Sequence, residues 1–228
     1  MKNSALVLSS SRLCPYGVRC LAMLGNSGLA YQLDEITDEV PRAARLALSP
    51  TGLLPVLRSG EVVVFESAAI CEFIQEAARM PSPLADPTQA AAARSWSSYA
   101  SLLYPLAKAA IVAKCEADFV DARQKLATTG AVLEHALARS DAKWARTHLC
   151  ETAFLPFFSR LEAVERQFGM ALLEGCPRLT AWSEQVLALY ADAHPWVTHH
   201  GRWFLDHFRS AGSQWLVESG SLGVGAQA

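Results

Sequence analysis

The sequence predicts an α/β domain followed by an all-α helical bundle, and three observations support this division. Residues 1–79 alternate between strand-like and helix-like segments. Residues 80–87 contain three prolines in eight positions, which is typical of a linker. Beyond the linker, Ala-, Leu- and aromatic-rich stretches with helical spacing and no convincing strand predict a bundle over residues 88–210. Residues 211–228 are rich in Gly, Ser and Ala and predict a flexible tail.

The first domain is predicted to follow the order β-α-β-α-β-β-α. A parallel pair of strands precedes an antiparallel hairpin around Ser59-Gly60. Gly28 favours the end of the first helix, and Ser67 is predicted to cap the third. The predicted strands are residues 5–8, 31–36, 56–57 and 61–65, and the predicted helices are residues 15–27, 41–48 and 67–79. In the second domain, helices are predicted at residues 88–114, 118–140, 150–169, 178–192 and 195–209.

Charge and cysteine content exclude several functional classes. Twenty Lys and Arg residues against 22 Asp and Glu give a net charge of −2, which disfavours nucleic acid as the main partner. The longest apolar runs are far too short to span a membrane, and the stretch 5–8 is too short for a signal peptide. The six cysteines are scattered without a C-x-x-C pair. The sequence therefore predicts a cytoplasmic protein with free thiols.

Cys14 is the candidate reactive residue. It is predicted to be the N-cap of the first helix, with Pro15 at the first helical position. A thiol there faces unpaired backbone N–H groups and the positive end of the helix dipole, and Arg12 and Arg19 are close in sequence. We therefore expect Cys14 to be a thiolate at neutral pH. The other five cysteines are predicted to be buried and inert.

Two further segments predict a ligand site beside this thiol. The Leu54-Pro55 bond is a candidate cis peptide that leaves the strand edge free to pair with a peptide-like ligand, although an ordinary proline at a strand start remains the alternative. Ser67 with the first N–H groups of its helix could bind a carboxylate, and Glu66 could accept an ammonium group. Ser67 caps its helix under either interpretation.

Three stretches in this order resemble one known family. They are Arg12-Leu13-Cys14-Pro15-Tyr16, residues 49–57 with the Leu-Leu-Pro-Val-Leu sequence, and residues 65–73 with the Phe-Glu-Ser sequence. Followed by a proline-rich linker and a helical domain, they are similar to the glutathione transferase superfamily. The likeness is greatest to omega-class and related bacterial cysteine-type members.

The resemblance implies a thioredoxin-like first domain that binds glutathione as a co-substrate. Cys14 would be the catalytic thiol, and Leu54 would pair through its backbone beside cis-Pro55. Glu66 and Ser67 would hold the γ-glutamyl group, and Tyr16 would lie near the ligand. The resemblance also implies a homodimer.

One departure from the family concerns the glycine carboxylate of glutathione. Many members place a cation just before the second helix, where this chain has Val40, and Arg42 or Arg45 is a candidate substitute. A second departure lies at Thr147, because the family's acidic capping residue has no direct counterpart and Glu151 follows one position late.

Aromatic residues of the second domain are candidates for an acceptor pocket. Tyr99 and Tyr104 lie on its first helix and Trp203 lies on its last, and the alternative is that each belongs to the bundle core. The histidines of residues 194–207 lack a carboxylate that would complete a ligand set, so no metal site is predicted.

These observations leave three functional hypotheses. The first is glutathione-dependent thiol transfer, reduction or deglutathionylation of a small hydrophobic or aromatic substrate through Cys14. The second is conjugation, or sulfur incorporation into a specialised metabolite, with glutathione as the nucleophile. The third is a binding or regulatory protein without catalysis.

Overall fold

The computed structural model describes residues 5–37, 39–80, 86–139 and 142–210. Most of the predicted linker and the whole of the predicted tail lie outside these residues. The predicted order of the first domain is confirmed. Its elements are β1 (Leu6–Ser10), α1 (Pro15–Ser27), β2 (Tyr31–Glu35), α2 (Arg42–Arg45), β3 (Val56–Ser59), β4 (Val62–Phe65) and α3 (Ser67–Ala77).

The four strands form one mixed sheet in the order β2-β1-β3-β4. β1 pairs in parallel with β2, whereas β1 with β3 and β3 with β4 are antiparallel. The hairpin turn lies at residues 60–61, one residue later than predicted, because Ser59 still pairs with Val62. Gly60 supplies the positive φ of 61° that such a turn requires.

Helix α1 is held tightly on the end of β1. Pro15 occupies its first turn, and Gly28 ends it in the left-handed conformation with φ 68°. A Cβ on Gly17 would lie 1.7 Å from Oγ of Ser10, so only glycine allows this close approach. The short distance fixes the start of α1, and therefore Cys14, at the carboxyl end of β1.

The turn from β4 into α3 differs from the prediction. Glu66, not Ser67, is the N-cap residue, and it takes an unusual φ of 68°. Ser67 is then the first residue of the helix and is buried. The helix also ends at Ala77, because Arg79 has a left-handed φ of 50°.

The elements of the second region are all helical among its described residues. Its elements are α4 (Pro87–Ile111), α5 (Glu116–Leu137), a 3₁₀ helix (Ala142–Arg146), α6 (His148–Phe168), α7 (Pro177–Leu189), α8 (Pro195–Thr198) and α9 (His200–Ser210). The predicted last helix is thus divided at His199. Thr147 caps α6 by accepting a hydrogen bond from the Cys150 N–H. No helix of the described chain is long and apolar enough to cross a membrane.

Helix α6 connects the two regions. It packs against α4 and α9 within the bundle and against α1 of the first domain. Its fully buried aromatic residues Phe154, Phe157 and Phe158 lie in the common core. Groups on α6 can therefore reach the beginning of α1, where Cys14 lies.

Candidate functional site

Cys14 lies at the N-terminus of α1 as predicted. It is the N-cap residue, with extended backbone, and its side chain is half-buried. Its thiol donates to the carbonyl oxygen of Leu54 over 3.6 Å. The Leu54-Pro55 peptide bond is cis, which confirms that prediction. The structure therefore brings the first two sequence segments into direct contact.

The ionisation of Cys14 differs from the sequence expectation. Burial raises the pKa of the Cys14 thiol above its ordinary value, and this outweighs the backbone N–H groups of Gly17 and Tyr16 and the charge of Arg160, which lower it. The predicted cations lie elsewhere. Arg12 pairs with Glu35 over 2.6 Å, and Arg19 donates to buried Ser97. The predicted thiolate at neutral pH is therefore wrong for this geometry.

The cation that faces the thiol is Arg160 of α6, which the sequence analysis missed. Arg160 is 2% exposed, and its guanidinium lies 3.6 Å from the ring centre of Phe204. Nη1 donates to the carbonyl of Tyr104 over 3.2 Å, and Nη2 to that of Leu13 over 3.5 Å. Burial lowers the pKa of Arg160 to about 10. No described carboxylate pairs with it, so a buried positive charge lies next to Cys14.

His200 of α9 fixes the orientation of Arg160. Its Nε2 accepts from Nε of Arg160 over 3.2 Å, which leaves Nδ1 to donate to the carbonyl of Arg12 over 3.1 Å. Burial, with the nearby guanidinium, lowers the pKa of His200 to about 3, so the ring is neutral. A Cβ on Gly201 would lie 1.8 Å from the Ser159 carbonyl oxygen. Gly201 therefore allows the close packing of α9 on α6 that places this histidine.

A cleft of about 420 Å³ opens in front of Cys14. Cys14, Tyr16 and Leu54 form its α/β wall. Tyr104, Phe204 and Phe208 form much of the helical wall, where Tyr16 meets Tyr104 edge to face at 5.0 Å. A larger hollow of about 760 Å³ lies between α6 and α7, away from the thiol and without a cysteine in its lining. We therefore assign the smaller cleft as the candidate active site.

Two predicted acceptor residues lie outside this cleft. Tyr99 packs edge to face on Trp96 at 5.4 Å. Trp203 stacks with His199 and lies beneath the Arg12 guanidinium. Of the three predicted residues only Tyr104 lines the cleft, and its hydroxyl donates to the carbonyl of Ala153. The aromatic residues that line the helical side of the cleft are therefore Tyr104, Phe204 and Phe208.

The two candidate substitutes for the missing cation behave differently. Arg42 donates twice to the carbonyl of Thr51, over 3.2 and 3.0 Å, and so stabilises the loop before Pro55. Arg45 lines the cleft, and its buried Nε has no hydrogen-bond partner. Arg45 is therefore the better placed of the two to meet a carboxylate.

Four of the five remaining cysteines are buried, and the described residues hold no candidate metal site. Cys20, Cys71, Cys150 and Cys176 are buried free thiols, as predicted, but Cys115 is exposed at the start of α5. Among the described residues no group of three or more His, Cys, Asp or Glu side chains is arranged to hold a metal ion.

The geometry around Cys14 is typical of one class of protein. A thiol begins the first helix of an α/β domain, a cis-proline segment faces it, and a helical domain closes the cleft from the other side. This is a two-domain arrangement in which the first domain is thioredoxin-like.

The sequence is similar to known glutathione transferases. Residues 13–77 match the model of the glutathione S-transferase N-terminal domain. Glutathione S-transferase omega-1 of Sus scrofa is 27% identical over 178 residues, which are 76% of this chain and 73% of that protein. The first domain therefore matches the N-terminal domain of glutathione S-transferases, and the chain is similar to an omega-class member over most of its length.

Solved structures share the fold. Rice GST1, in complex with glutathione, matches with a TM-score of 0.74 and 22% identity over 94% of this chain and 99% of its own. Glutathione transferase Omega 3C from Trametes versicolor matches with a TM-score of 0.68 and 21% identity, covering 92% of each chain. The α/β domain followed by the helical domain is therefore the glutathione transferase fold.

Proposed function

We propose that the protein is a cysteine-type glutathione transferase that transfers glutathionyl groups through Cys14. The observation that carries the proposal is the position of this thiol, at the helix N-terminus, open to an aromatic cleft and facing the buried cation of Arg160. The similarity to glutathione transferases supports glutathione as the co-substrate. The acceptor is a small hydrophobic or aromatic molecule, because rings form much of the helical wall.

Glutathione would lie along the α/β wall of the cleft. The backbone of Leu54 would pair with its peptide body, and Tyr16 would lie beside its sulfur. Glu66 would take the ammonium of the γ-glutamyl group, while the first N–H groups of α3 at Ser67 would take the carboxylate. Arg45 would hold the glycine carboxylate, since its Nε is buried without a partner.

The proposed reaction is two successive thiol–disulfide exchanges. Cys14 loses its proton to solvent, and its sulfur attacks the glutathionyl sulfur of a mixed disulfide between glutathione and the substrate thiol. The substrate leaves as a thiolate and takes up a proton. A second glutathione thiolate then attacks the enzyme disulfide, which releases oxidised glutathione and restores Cys14. Gly17 stands where a second cysteine of a dithiol site would be, so an external thiol must complete the cycle.

Incubation with oxidised glutathione followed by intact mass analysis tests this proposal. We expect one glutathionyl adduct on the wild-type protein and on Cys115→Ser, the matched control that removes the exposed thiol. We expect none on the double variant Cys14→Ser/Cys115→Ser at the same exposure. An adduct that persists in this double variant, or no adduct on Cys115→Ser together with no thermal shift by glutathione, would overturn the proposal. The second result would favour a binding protein without catalysis.

Conjugation is a second candidate, and one observation favours it. Because burial raises the pKa of Cys14, the residue keeps its proton and can donate a hydrogen bond, as it does to Leu54. In that role it would stabilise a bound glutathione thiolate that attacks the acceptor, and the sulfur would remain in the product. Analysis of the product with an aromatic electrophile separates the two reactions, since Cys14→Ser keeps a hydroxyl donor and would retain conjugation.

We also propose that the protein is a cytoplasmic homodimer. β4 is an edge strand of the sheet and exposes Val62, Val63 and Phe65, while Leu102 of α4 is 59% exposed. Uncovered apolar edges of this kind favour association. Light scattering during gel filtration should give twice the chain mass, and Phe65→Asp should shift it toward the monomer. A monomeric wild-type protein would refute the dimer.

A further inference from the structure

The lining of the cleft is strongly one-sided in charge. Arg45, Lys108, Arg160 and His207 all contribute to it, and the described lining contains no Asp or Glu. The chain as a whole has a net charge of −2, so this excess of basic groups is local. A cleft lined by charge of one sign concentrates ligands of the opposite sign.

Glutathione by itself does not balance the charges of Arg45, Lys108 and Arg160. Within the proposed function, its glycine carboxylate meets Arg45, and its γ-glutamyl ammonium and carboxylate meet Glu66 and the start of α3. Ionised Cys14, or the departing thiolate, meets Arg160. Lys108 is then left without a counter-charge, since it pairs with no described carboxylate. Its ammonium instead lies over the Phe208 ring, 4.8 Å from the ring centre.

Lys108, whose charge has no partner in this arrangement, lies beside the aromatic residues of the helical wall. Lys108 follows Tyr104 by one helical turn on α4, so both side chains lie on the face toward the cleft. Phe208 and Phe204 lie opposite on α9, with ring centres 4.7 Å apart. An aromatic acceptor beside these rings would place a substituent within reach of the ammonium group.

We propose that the acceptor half of this cleft selects aromatic substrates that carry an anionic group, a carboxylate or a sulfonate, and that Lys108 is the residue that recognises it. The inference rests on the proposed function for the position of glutathione. It adds a charge requirement to the acceptor, which the aromatic walls alone do not impose.

Calorimetric binding of two matched glutathione conjugates to the full-length protein tests the inference. The probes are S-(4-carboxybenzyl)glutathione and S-(4-carbamoylbenzyl)glutathione, which have nearly the same shape and differ by one charge. We expect the carboxylate to bind about three- to fivefold more tightly, because Lys108 is exposed, with the difference shrinking as salt is raised. Lys108→Gln should remove the difference, whereas Lys114→Gln, an exposed lysine outside the cleft lining, should keep it.

The outcomes separate this inference from the proposed function. Equal affinity of the wild-type protein for the two conjugates would overturn the anion preference while leaving the glutathione site intact. A preference that survives in Lys108→Gln would overturn the role of Lys108. Failure of both conjugates to bind would contradict the glutathione site itself, and the inference with it.

Discussion

The two walls of the cleft are built in different ways. The α/β wall uses backbone geometry, since Cys14 begins a helix, Leu54 precedes a cis-proline and Glu66 takes a positive φ. The helical wall uses side chains from distant segments, where Arg160 of α6 is held by His200 of α9 and the carbonyl of Tyr104 on α4. The first wall carries the proposed nucleophile, Cys14, and the second carries the buried charge that faces it. Chemistry at this site therefore depends on how the two regions pack.

The largest effect should come from replacing Cys14, the proposed nucleophile of the α/β wall. Cys14→Ser should lower kcat/KM for glutathionyl transfer by at least about 1000-fold, because serine cannot form the mixed disulfide. Cys115→Ser should leave the rate unchanged. Full thiol-transfer activity in Cys14→Ser, measured with an aromatic mixed disulfide, would assign the chemistry to another group.

Lowering the pH should decrease the free energy of unfolding through His200, which lies in the helical wall. The pKa of His200 is lowered to about 3 in the folded protein from 6.5, so the unfolded chain binds a proton first as the pH falls. The stability that this histidine contributes is complete above pH 6.5 and is lost toward pH 3, at about 1.4 kcal/mol per pH unit.

Comparison with His200→Gln isolates this contribution, because glutamine can accept from Arg160 and donate to Arg12 but does not titrate. Urea unfolding at pH 7 and pH 5 should show a smaller loss of stability on acidification for the variant. The same loss in both proteins would show that His200 is not the group responsible.

α9 and α6 pack so closely at Gly201 that a methyl group added there should destabilise the protein. Gly201→Ala would place Cβ 1.8 Å from the Ser159 carbonyl oxygen, so α9 must move and we expect a loss of about 1–3 kcal/mol. Gly25→Ala is the matched control, because nothing lies within 4 Å of its added Cβ. Thermal unfolding should show that this control is as stable as the wild type or slightly more so. Equal stability of the two variants would contradict the close contact.

The contrast between the walls also explains what the sequence could predict. Local patterns identify the α/β wall, since Pro15, Gly28 and Pro55 act on their own backbone neighbours. Arg160 could not be found in this way, because its role comes from packing between residues far apart in the chain. Its one signal in the sequence is its position as a charged residue close behind the apolar run 153–158 of α6, with only Ser159 between them.

Errors in the predicted site follow from helical phase. Arg19 lies five residues after Cys14 on α1, about 140° around the helix axis, so it faces the core rather than the thiol. Trp203 is one residue from Phe204 and therefore lies on a neighbouring face of α9. Tyr99 is five residues from Tyr104 and differs in the same way as Arg19. The composition identifies the helices that carry aromatic residues. Which of these residues face the cleft depends on how the helices pack against α6 and α1.

The pH profile of Cys14 alkylation, measured by mass spectrometry in the wild type and in Arg160→Met, tests most directly whether the helical wall controls the thiol. In the wild type, the rate should still rise through neutral pH, because burial raises the pKa of Cys14. In Arg160→Met the profile should shift to higher pH by about one unit, which slows the reaction at pH 7 about tenfold. Arg160→Lys should recover part of the rate. Identical profiles for the wild type and Arg160→Met would contradict the account.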